Sequence, residues 1–581
     1  MRGAARTVAA VLCALALSLF LPATARADSA GGGDLHVAQT LGDRELTFVL
    51  RRVTGLPGPL HVDVLTHRGT PAGALRLGAV PAGVAADRAA GAPVGTVTSK
   101  ASVRLGDEPG TYGTVLDIDR AGPWELVVED GSRTARIPFV VPGQVTSPPE
   151  RTVFAGFVAA GVLMLVTLFV AVRARRGSWV LLPASGVVAA LATAVTAALL
   201  SASLPPPPEP GRDVDATQDN VTDPYAVVRP VSAEHSRPPA SLETAAYTAR
   251  PGERGTLRLD VNDGSTGLPA DDLVVHDGAL MHLVVIGPAG RLWHLHPVRT
   301  APGTYEVQLR LPASGHYAVS AEFARRGGGL QHVRSATGLT VTGRPAPQEG
   351  SGKGPDRDAA GADTVPESEL AARGTGTRTI DGVPVRLTAS PLTAGSAATL
   401  TARVGDTATL QPWLGMVGHM IVVGPLSEDD ATGPTRLGQA AEQAPVWAHA
   451  HSMGGDMSGD MSSDMSSDMS AHTGGDTGTG HGSGAAHGEE DHAGHGTADP
   501  PDTEPDGHGE GAGSMSGLMP LNGDSPADET VAAYGPDVSF VYTFSRPGHY
   551  RVWIQAMRDS TVLTIPYVLN VSSGGSGGGE E

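Results

Sequence analysis

Three short blocks of sequence occur twice, in the same order, in this 581-residue chain. The first copy reads MHLVVIGP (281–288), LWHLH (292–296) and TYEVQLRLPASGHYAVSA (304–321), and the second reads GHMIVVGP (418–425), WAHAH (447–451) and DVSFVYTFSRPGHYRVWI (537–554). Each block contains histidine, and the longest pair aligns without a gap. The chain therefore contains a tandem duplication of one structural unit, and its fold must accommodate both copies.

Apolar residues alternate with polar ones inside each copy, as in Tyr305, Val307, Leu309 and Leu311. A period of two is typical of a half-buried β-strand, and Gly and Pro turns separate the runs. We therefore predict a mainly β fold with two or three immunoglobulin-like β-sandwich modules, two transmembrane helices and disordered linkers. Helix is expected only in the membrane.

A weaker third copy precedes the other two. TYGTVLDIDRAGPWELVV aligns without a gap with the third block of the first copy, which places Gly122 on Gly315 and Trp124 on Tyr317. PLHVDVL is a weaker match to MHLVVI through His61, and no H-x-H pair follows it. This copy is expected to keep the fold without most of the polar residues.

Composition and repeats divide the chain into segments. We predict a signal peptide over 1–27, a degenerate extracytoplasmic sandwich over 28–145, transmembrane helices over 153–172 and 179–200, a Pro-rich stalk over 204–239, sandwich repeat one over 240–342, a linker over 343–375, sandwich repeat two over 376–572 with an insertion at 452–537, and a disordered tail over 573–581.

Two apolar runs determine the expected location of the protein. Arg173, Arg175 and Arg176 lie in the short loop between them, and positive charge in a short loop favours the cytoplasmic side. We therefore expect a two-pass protein of the cell membrane with its globular domains on the extracytoplasmic side. The alternative is a helical hairpin buried in a soluble domain.

Cysteine usage and charge exclude several classes of function. The single cysteine, Cys13, lies in the predicted signal peptide, so disulfides, thiolate catalysis and thiolate metal sites are excluded from the exported chain. Blue-copper carriers and multicopper oxidases need a cysteine, and the sequence has neither H-E-x-x-H nor a phosphate-binding glycine loop. We expect no enzyme. The net charge of −20 makes nucleic acid an improbable partner.

Histidine pairs are the first candidate metal ligands. Side chains at i and i+2 of a strand point to the same face, so both imidazoles of an H-x-H pair can bind one ion. A third histidine stands on a preceding strand of each copy, and a fourth begins a later strand. The candidates are His294, His296, His282 and His316 in repeat one, and His449, His451, His419 and His549 in repeat two. Imidazole suits Cu(II), Zn, Ni and Fe, so residue type does not choose among them. The alternative is that these are structural histidines in turns and the core.

A run rich in methionine and histidine follows His451. Residues 449–519 contain seven of the 13 methionines, eight of the 20 histidines and no lysine or arginine. The candidates within it are Met453, Met457, Met461, Met465 and Met469, which recur every fourth residue, and His472, His481, His487, His492, His495 and His508. Serine, glycine and aspartate are poor helix formers, so we expect disorder in the free form.

The chemistry of this run indicates copper. Thioethers are soft ligands that Cu(I) prefers, whereas imidazoles and carboxylates suit Cu(II) and other divalent ions. About eight residues connect the H-x-H block to the next strand in repeat one, but the same connection in repeat two extends from Ser452 to Asp537. Such an insertion can deliver metal to a neighbouring site at high effective concentration. The alternatives are a low-complexity spacer and an anionic solubilising loop.

At the M-H-L-V-V, H-L-H-P and G-x-Y blocks the sequence resembles uncharacterised bacterial exported proteins with YtkA-like immunoglobulin-like modules. The likeness covers 240–342 well and 376–572 less well, and Ser452 stands where the H-L-H-P block has Pro297. The methionine run is similar to Met-rich motifs of periplasmic copper-handling proteins. These resemblances imply copper tolerance or trafficking. We expect copper sequestration or trafficking as the function, with the cell membrane, metal ions and another copper-handling protein as partners. Zinc and nickel are the alternative metals, and a non-catalytic structural or interaction module of the cell surface, with an acidic disordered loop, is the alternative function.

Overall fold

Strands dominate the computed structural model of the protein, which confirms the predicted mainly β fold class. The structure describes residues 34–82 except 52 and 54, 95–141, 148–203, 239–344 except 246 and 326–328, 365, 369–370, 373–452 except 434, and 533–574. The predicted signal peptide lies outside these residues, as do most of the stalk, linker, insertion and tail.

The first module consists of two antiparallel sheets that face each other across one hydrophobic core. Its strands are β1 (Leu35–Leu41), β2 (Arg44–Leu50), β3 (Gly58–Thr66), β4 (Gly73–Pro81), β5 (Ser99–Leu105), β6 (Thr111–Ile118), β7 (Gly122–Glu129) and β8 (Thr134–Val141). One sheet has the order β1-β2-β3-β6 and the other β5-β4-β7-β8. Burial on alternate positions of β3 and β8 shows the expected period of two.

Two apolar helices follow, α1 (Pro148–Arg173) and α2 (Leu181–Ser203), joined by a short 3₁₀ turn at Gly177–Val180. They pack closely, because a Cβ on Gly156 would lie only 2.9 Å from the Cβ of Ala194. Large apolar side chains such as Phe154 remain exposed, at 64%. Each helix is long and apolar enough to cross a membrane.

Repeat one is a sandwich of the same kind. Its strands are β9 (Ala240–Thr244), β10 (Arg254–Asp263), β11 (Leu273–Val274), β12 (His282–Ile286), β13 (Leu292–Leu295), β14 (Val298–Ala301), β15 (Thr304–Arg310), β16 (Gly315–Arg325), β17 (Gly329–Arg334) and β18 (Leu339–Val341). The sheets have the orders β14-β15-β10-β9 and β11-β16-β12-β13, and β17 and β18 also pair with β16.

Repeat two has the same arrangement with two additional helices. Its elements are β19 (Gly376–Ile380), β20 (Val383–Ala389), β21 (Ala397–Val404), β22 (Leu410–Gln411), β23 (Gly418–Leu426), α3 (Glu428–Thr432), α4 (Leu437–Gln443), β24 (Val446–Ser452), β25 (Asp537–Thr543), β26 (Gly548–Arg558) and β27 (Thr561–Val571). The sheets have the orders β19-β20-β21-β25 and β22-β26-β23-β24, with β27 beside β26.

The expectation that helix is confined to the membrane is wrong, because α3 and α4 lie between β23 and β24. Ser427 caps α3 by accepting a hydrogen bond from the backbone N–H of Asp430, and acidic residues fill the first turn. Helices of five and seven residues are too short to give a readable period in the sequence.

A recurring turn shows that the three modules share one fold. Gly122, Gly315 and Gly548 begin β7, β16 and β26 with φ values of 126°, 138° and 134°, a region that favours glycine. Two residues later a buried aromatic side chain donates a hydrogen bond to the carbonyl four residues before it: Trp124 to Arg120, Tyr317 to Ala313, and Tyr550 to Arg546. The alignments of this block are therefore structural equivalences.

The weaker match through His61 is wrong. His61 is exposed on β3, which pairs with β6, whereas the MHLVVI strand, β12, pairs with β16. In the first module β4 takes the place of β12, because it is β4 that pairs with β7. The sequence similarity was between strands of two different sheets.

The histidine-bearing strands have both faces buried, because the two repeats pack sheet against sheet. Leu283 and Val285 of β12 belong to the core of repeat one. Val284 and Ile286, on the opposite face, meet Ile421 of repeat two in a separate hydrophobic cluster. The histidines lie on this second face, at one end of the contact between repeats.

Candidate metal centre

Six predicted histidines lie together between the repeats. They form two triads, in each of which one ligand nitrogen per residue lies within 4.8 Å of the others: His282, His294 and His296 from repeat one, and His419, His449 and His451 from repeat two. The third histidine of each triad reaches its H-x-H pair because β12 pairs with β13 and β23 with β24.

The two triads adjoin each other, and we call them together the six-histidine cluster. The ring centroids of His282 and His449 are 5.3 Å apart, and those of His294 and His449 are 5.0 Å apart. The cluster is shielded from water, since His296 and His419 are 0% exposed and the side chain of His451 is 5% exposed. That the triads of separate repeats meet was not predicted.

Hydrogen bonds orient the rings of repeat one. The Nε2 of His282 lies 3.2 Å from the carbonyl oxygen of His276, and the Nδ1 of His294 lies 2.9 Å from the Oε1 of Gln555, so both nitrogens donate. The Nδ1 of His282 and the Nε2 of His294 then present lone pairs to each other across 3.1 Å. A tetrahedral ion with imidazole bonds of about 2.0–2.1 Å would separate its ligands by about 3.3 Å. The gap fits a metal ion.

The same pattern occurs in repeat two. The Nε2 of His419 donates to the carbonyl oxygen of Trp413 at 3.0 Å, and the Nδ1 of His449 donates to the Oε1 of Glu322 at 3.3 Å. The Nδ1 of His419 and the Nε2 of His449 therefore face each other at 3.2 Å with lone pairs. Each triad thus offers one Nδ1 and one Nε2 at a spacing close to that of metal ligands.

The last histidine of each triad is held by a carboxylate. The Nδ1 of His296 lies 2.5 Å from the Oε1 of Glu45, a 3% exposed residue of β2 in the first module. Its Nε2 is buried and has no hydrogen-bond partner among the residues that the structure describes. The Nδ1 of His451 lies 3.5 Å from the Oδ2 of Asp277. The Nε2 of His296 is therefore available as a ligand.

Two matching turns place the carbonyls that orient His282 and His419. Asp277 and Gly278 have φ values of 48° and 74°, and Leu414 and Gly415 have values of 57° and 77°. The two turns touch, because a Cβ on Gly278 would lie 3.3 Å from Leu414. The Asp-Gly pair is a common signal for a turn of this type and could have been recognised in the sequence.

Burial controls the protonation of the cluster. Loss of solvation lowers the pKa of His282, His294, His419 and His449 well below the ordinary value, and repulsion from neighbouring histidines lowers it further. These four rings are therefore neutral at neutral pH, which is the form that binds metal.

The remaining predicted ligands are not in the cluster. The Nε2 of His316 lies 2.8 Å from a carboxylate oxygen of Glu442 on α4, and His549 is half-buried at the start of β26, beside Leu426. The candidates of the insertion lie outside the described residues: Met453, Met457, Met461, Met465, Met469, His472, His481, His487, His492, His495 and His508. The last described residue before them is Ser452, which follows His451 in β24.

The residues that orient the histidines were missed by sequence reasoning. Glu322 and Gln555 are equivalent, since each immediately follows the third aligned block of its repeat and lies on the face of its strand that meets the other repeat. Extending the alignment by one residue would have paired them. Glu45 gives no such signal, because it comes from a module more than 200 residues away in sequence from His296.

The fold and the site define a chain of β-sandwich modules with two apolar helices and a buried histidine cluster. The profile of a family described as a domain of unknown function (DUF8832) matches residues 240–339. That description names neither YtkA-like modules nor copper, so the resemblance inferred from the sequence remains an interpretation. No curated protein matches the chain.

Similar solved structures include dimeric latent PorU from Porphyromonas gingivalis, the tetra-tandem repeat in the extending region of a large adhesion protein, and a putative membrane anchored protein from Corynebacterium diphtheriae. Their identities are 9%, 9% and 8%, with TM-scores of 0.14, 0.14 and 0.13. The matches cover 93%, 93% and 91% of this chain and 33%, 74% and 92% of those chains. The chain thus spans a third of PorU. With TM-scores this low, the similarity carries no conclusion about fold or function.

Proposed function

We propose that the protein is a non-catalytic, membrane-anchored, extracytoplasmic metal-binding protein whose six-histidine cluster holds its ions. The observation that carries this proposal is the facing pair of lone-pair nitrogens in each triad, whose opposite ring nitrogens donate to carbonyl, amide or carboxylate oxygens. Metal-binding histidines are held in this way by a second layer of acceptors. Histidines that only stabilise a fold would pair a donor with an acceptor.

Copper is the metal that we propose. Imidazoles accept both oxidation states, and the methionines predicted as ligands in the insertion favour Cu(I). The insertion begins after Ser452, next to the cluster, so ions bound by the run would be delivered at high local concentration. Sequestration or trafficking of copper follows from this arrangement, with zinc or nickel as the alternative ions.

The contact between modules supports the predicted membrane topology. The first module precedes α1 and α2 in the sequence, and repeat one follows them. Yet the backbone N–H of Thr40 donates to the carbonyl oxygen of His296 at 2.8 Å, and Arg299 pairs with Glu125 at 2.7 Å. Two modules that touch lie on one side of a membrane, so the helices between them would cross it twice.

The proposal is tested by titrating the detergent-purified full-length protein with Cu(I), Cu(II) and Zn against chelators of known affinity. The double variant His282→Ala/His419→Ala should lose the tight sites of the cluster, whereas His549→Ala should bind as the unmodified protein does. Binding by the double variant that equals that of the unmodified protein would overturn the proposal.

A second candidate is a structural or interaction module of the cell surface. It is favoured by the position of the six-histidine cluster, which lies where all three modules meet through Glu45 and His296. Under this function the cluster would only join the modules, and no ion would raise the unfolding temperature. An increase of the unfolding temperature with metal concentration in the unmodified protein, but not in the double variant, would exclude it.

A further inference from the structure

Each triad has a hydrogen-bond acceptor that comes from the other repeat. Glu322 of β16 accepts from His449 of repeat two at 3.3 Å, and Gln555 of β26 accepts from His294 of repeat one at 2.9 Å. The two acceptors occupy the same position in their repeats, so each triad is completed by the other copy. The side chains of Glu322 and Gln555 have the same length but differ in charge.

This difference gives the triads unequal charge. Two carboxylates lie behind the repeat-two triad: Glu322, 3.3 Å from His449, and Asp277, whose Oδ2 lies 3.5 Å from His451 and 2.9 Å from His276. One carboxylate, Glu45, and the neutral amide of Gln555 lie behind the repeat-one triad. Glu322 is only 8% exposed. The nearest arginine on its strand, Arg325, is paired with Asp263 and Asp272.

A carboxylate that accepts the N–H of a bound imidazole increases the basicity of the ligand nitrogen, and its charge offsets that of a buried cation. The amide of Gln555 accepts the same hydrogen bond without a charge, and it is fixed by donation from its Nε2 to Thr564 at 2.9 Å. A divalent ion is therefore stabilised more in the repeat-two triad. A second divalent ion, in the repeat-one triad, would be repelled by the first ion, because the rings of His294 and His449 from the two triads have centroids only 5.0 Å apart. Fewer carboxylates would offset the charge of this second ion.

We propose that the triads are not equivalent: the repeat-two triad binds a divalent ion and the repeat-one triad binds monovalent Cu(I), with Glu322 and Gln555 determining the choice. This inference rests on the proposed function, since it requires that the cluster binds metal. It assigns the cluster a mixed pair of ions, one Zn or Cu(II) beside one Cu(I).

The test measures Zn and Cu(I) binding to full-length protein by chelator competition without oxygen, in the variants Glu322→Gln, Gln555→Glu and the double exchange. The insertion is the same in all of them, so differences between variants report the triads. Glu322→Gln should weaken the tight Zn site by about 10- to 100-fold and leave Cu(I) binding unchanged. Gln555→Glu should create a second tight Zn site.

The double exchange tests the assignment and checks against misfolding. It should restore one tight Zn site, and His282→Ala should now remove that site, whereas in the unmodified protein His419→Ala removes it. Equal Zn affinity in the unmodified protein and all three variants would overturn the inference while leaving the proposed function intact. If both His282→Ala and His419→Ala bound Zn and Cu(I) as the unmodified protein does, the proposed function would be rejected instead.

Discussion

At the scale of single residues, four neutral imidazoles in a buried site make the stability of the metal-free protein depend on pH. The pKa values of His282, His294, His419 and His449 are lowered by burial, whereas in the unfolded chain they return to about 6.5. Below about pH 6.5 the unfolded chain therefore binds more protons than the folded protein. The free energy of unfolding must fall as the pH falls through this range.

We expect the unfolding temperature of the metal-free protein to decrease steadily from pH 6.5 to pH 5. Each histidine contributes a loss of at most about 1.4 kcal/mol per pH unit. Thermal unfolding over pH 5 to 7.5 measures this. His282→Gln/His419→Gln should flatten the profile, and His549→Gln, outside the cluster, should not. A double variant with the slope of the unmodified protein would contradict the assignment.

The hydrogen bond donated by the buried aromatic side chain of each turn also acts at this scale. Tyr550 donates to the carbonyl oxygen of Arg546 at 2.8 Å from a fully buried ring. Tyr550→Phe should therefore lower the free energy of unfolding by about 0.5–1.5 kcal/mol, measured by chemical denaturation. Tyr542→Phe is the matched control, because its side chain is only half-buried and lies on β25, outside the turn, and it should change stability by less than about 0.5 kcal/mol.

At the scale of elements, α4 of repeat two packs directly against β16 of repeat one. A Cβ on Gly438 would lie 2.0 Å from the carbonyl oxygen of His316 on β16, so only glycine permits this approach. Helix propensity alone would favour alanine by up to about 1 kcal/mol, so any loss of stability must come from the clash.

Gly438→Ala should destabilise the contact between repeats by about 1–3 kcal/mol. It should also weaken metal binding, because the two triads are completed across that contact. Chemical denaturation and metal titration of one sample measure both effects. Gly535→Ala, where a Cβ meets nothing within 4 Å, is the control and should change neither. If Gly438→Ala were as stable as the control, α4 would not fix the spacing of the repeats.

What the sequence could predict follows from the range of each interaction. Strand alternation and the H-x-H spacing depend only on residues close together in sequence. They therefore correctly predicted the β fold and that His294 lies near His296. The meeting of the triads depends on sheet packing between repeats, and Glu45 reaches His296 from a third module. Such contacts leave no local pattern. The sequence also made His316 a candidate fourth ligand, although on β16 it lies six residues before Glu322, the residue that pairs with His282.

At the scale of the whole molecule, the helical pair interrupts in sequence a set of β modules that contact one another in space. Val298 of repeat one belongs to the hydrophobic core of the first module, and the backbone N–H of Ala38 donates to the carbonyl oxygen of Gly278 at 2.6 Å. These contacts join segments that precede and follow α1 and α2. If the helices cross a membrane, both ends of the pair must emerge on the same side.

Cysteine labelling of intact cells tests this arrangement with little background, because Cys13 is the only cysteine of the chain. Asp107→Cys in the first module and Ser265→Cys in repeat one are both at exposed positions and should react with a membrane-impermeant maleimide. Ser178→Cys, between the helices, should react only after permeabilisation, because the arginines before it favour the cytoplasmic side. The unmodified chain is the control. Labelling of Asp107→Cys but not Ser265→Cys would separate the two modules by the membrane and would be incompatible with the contacts through which Glu45 holds His296.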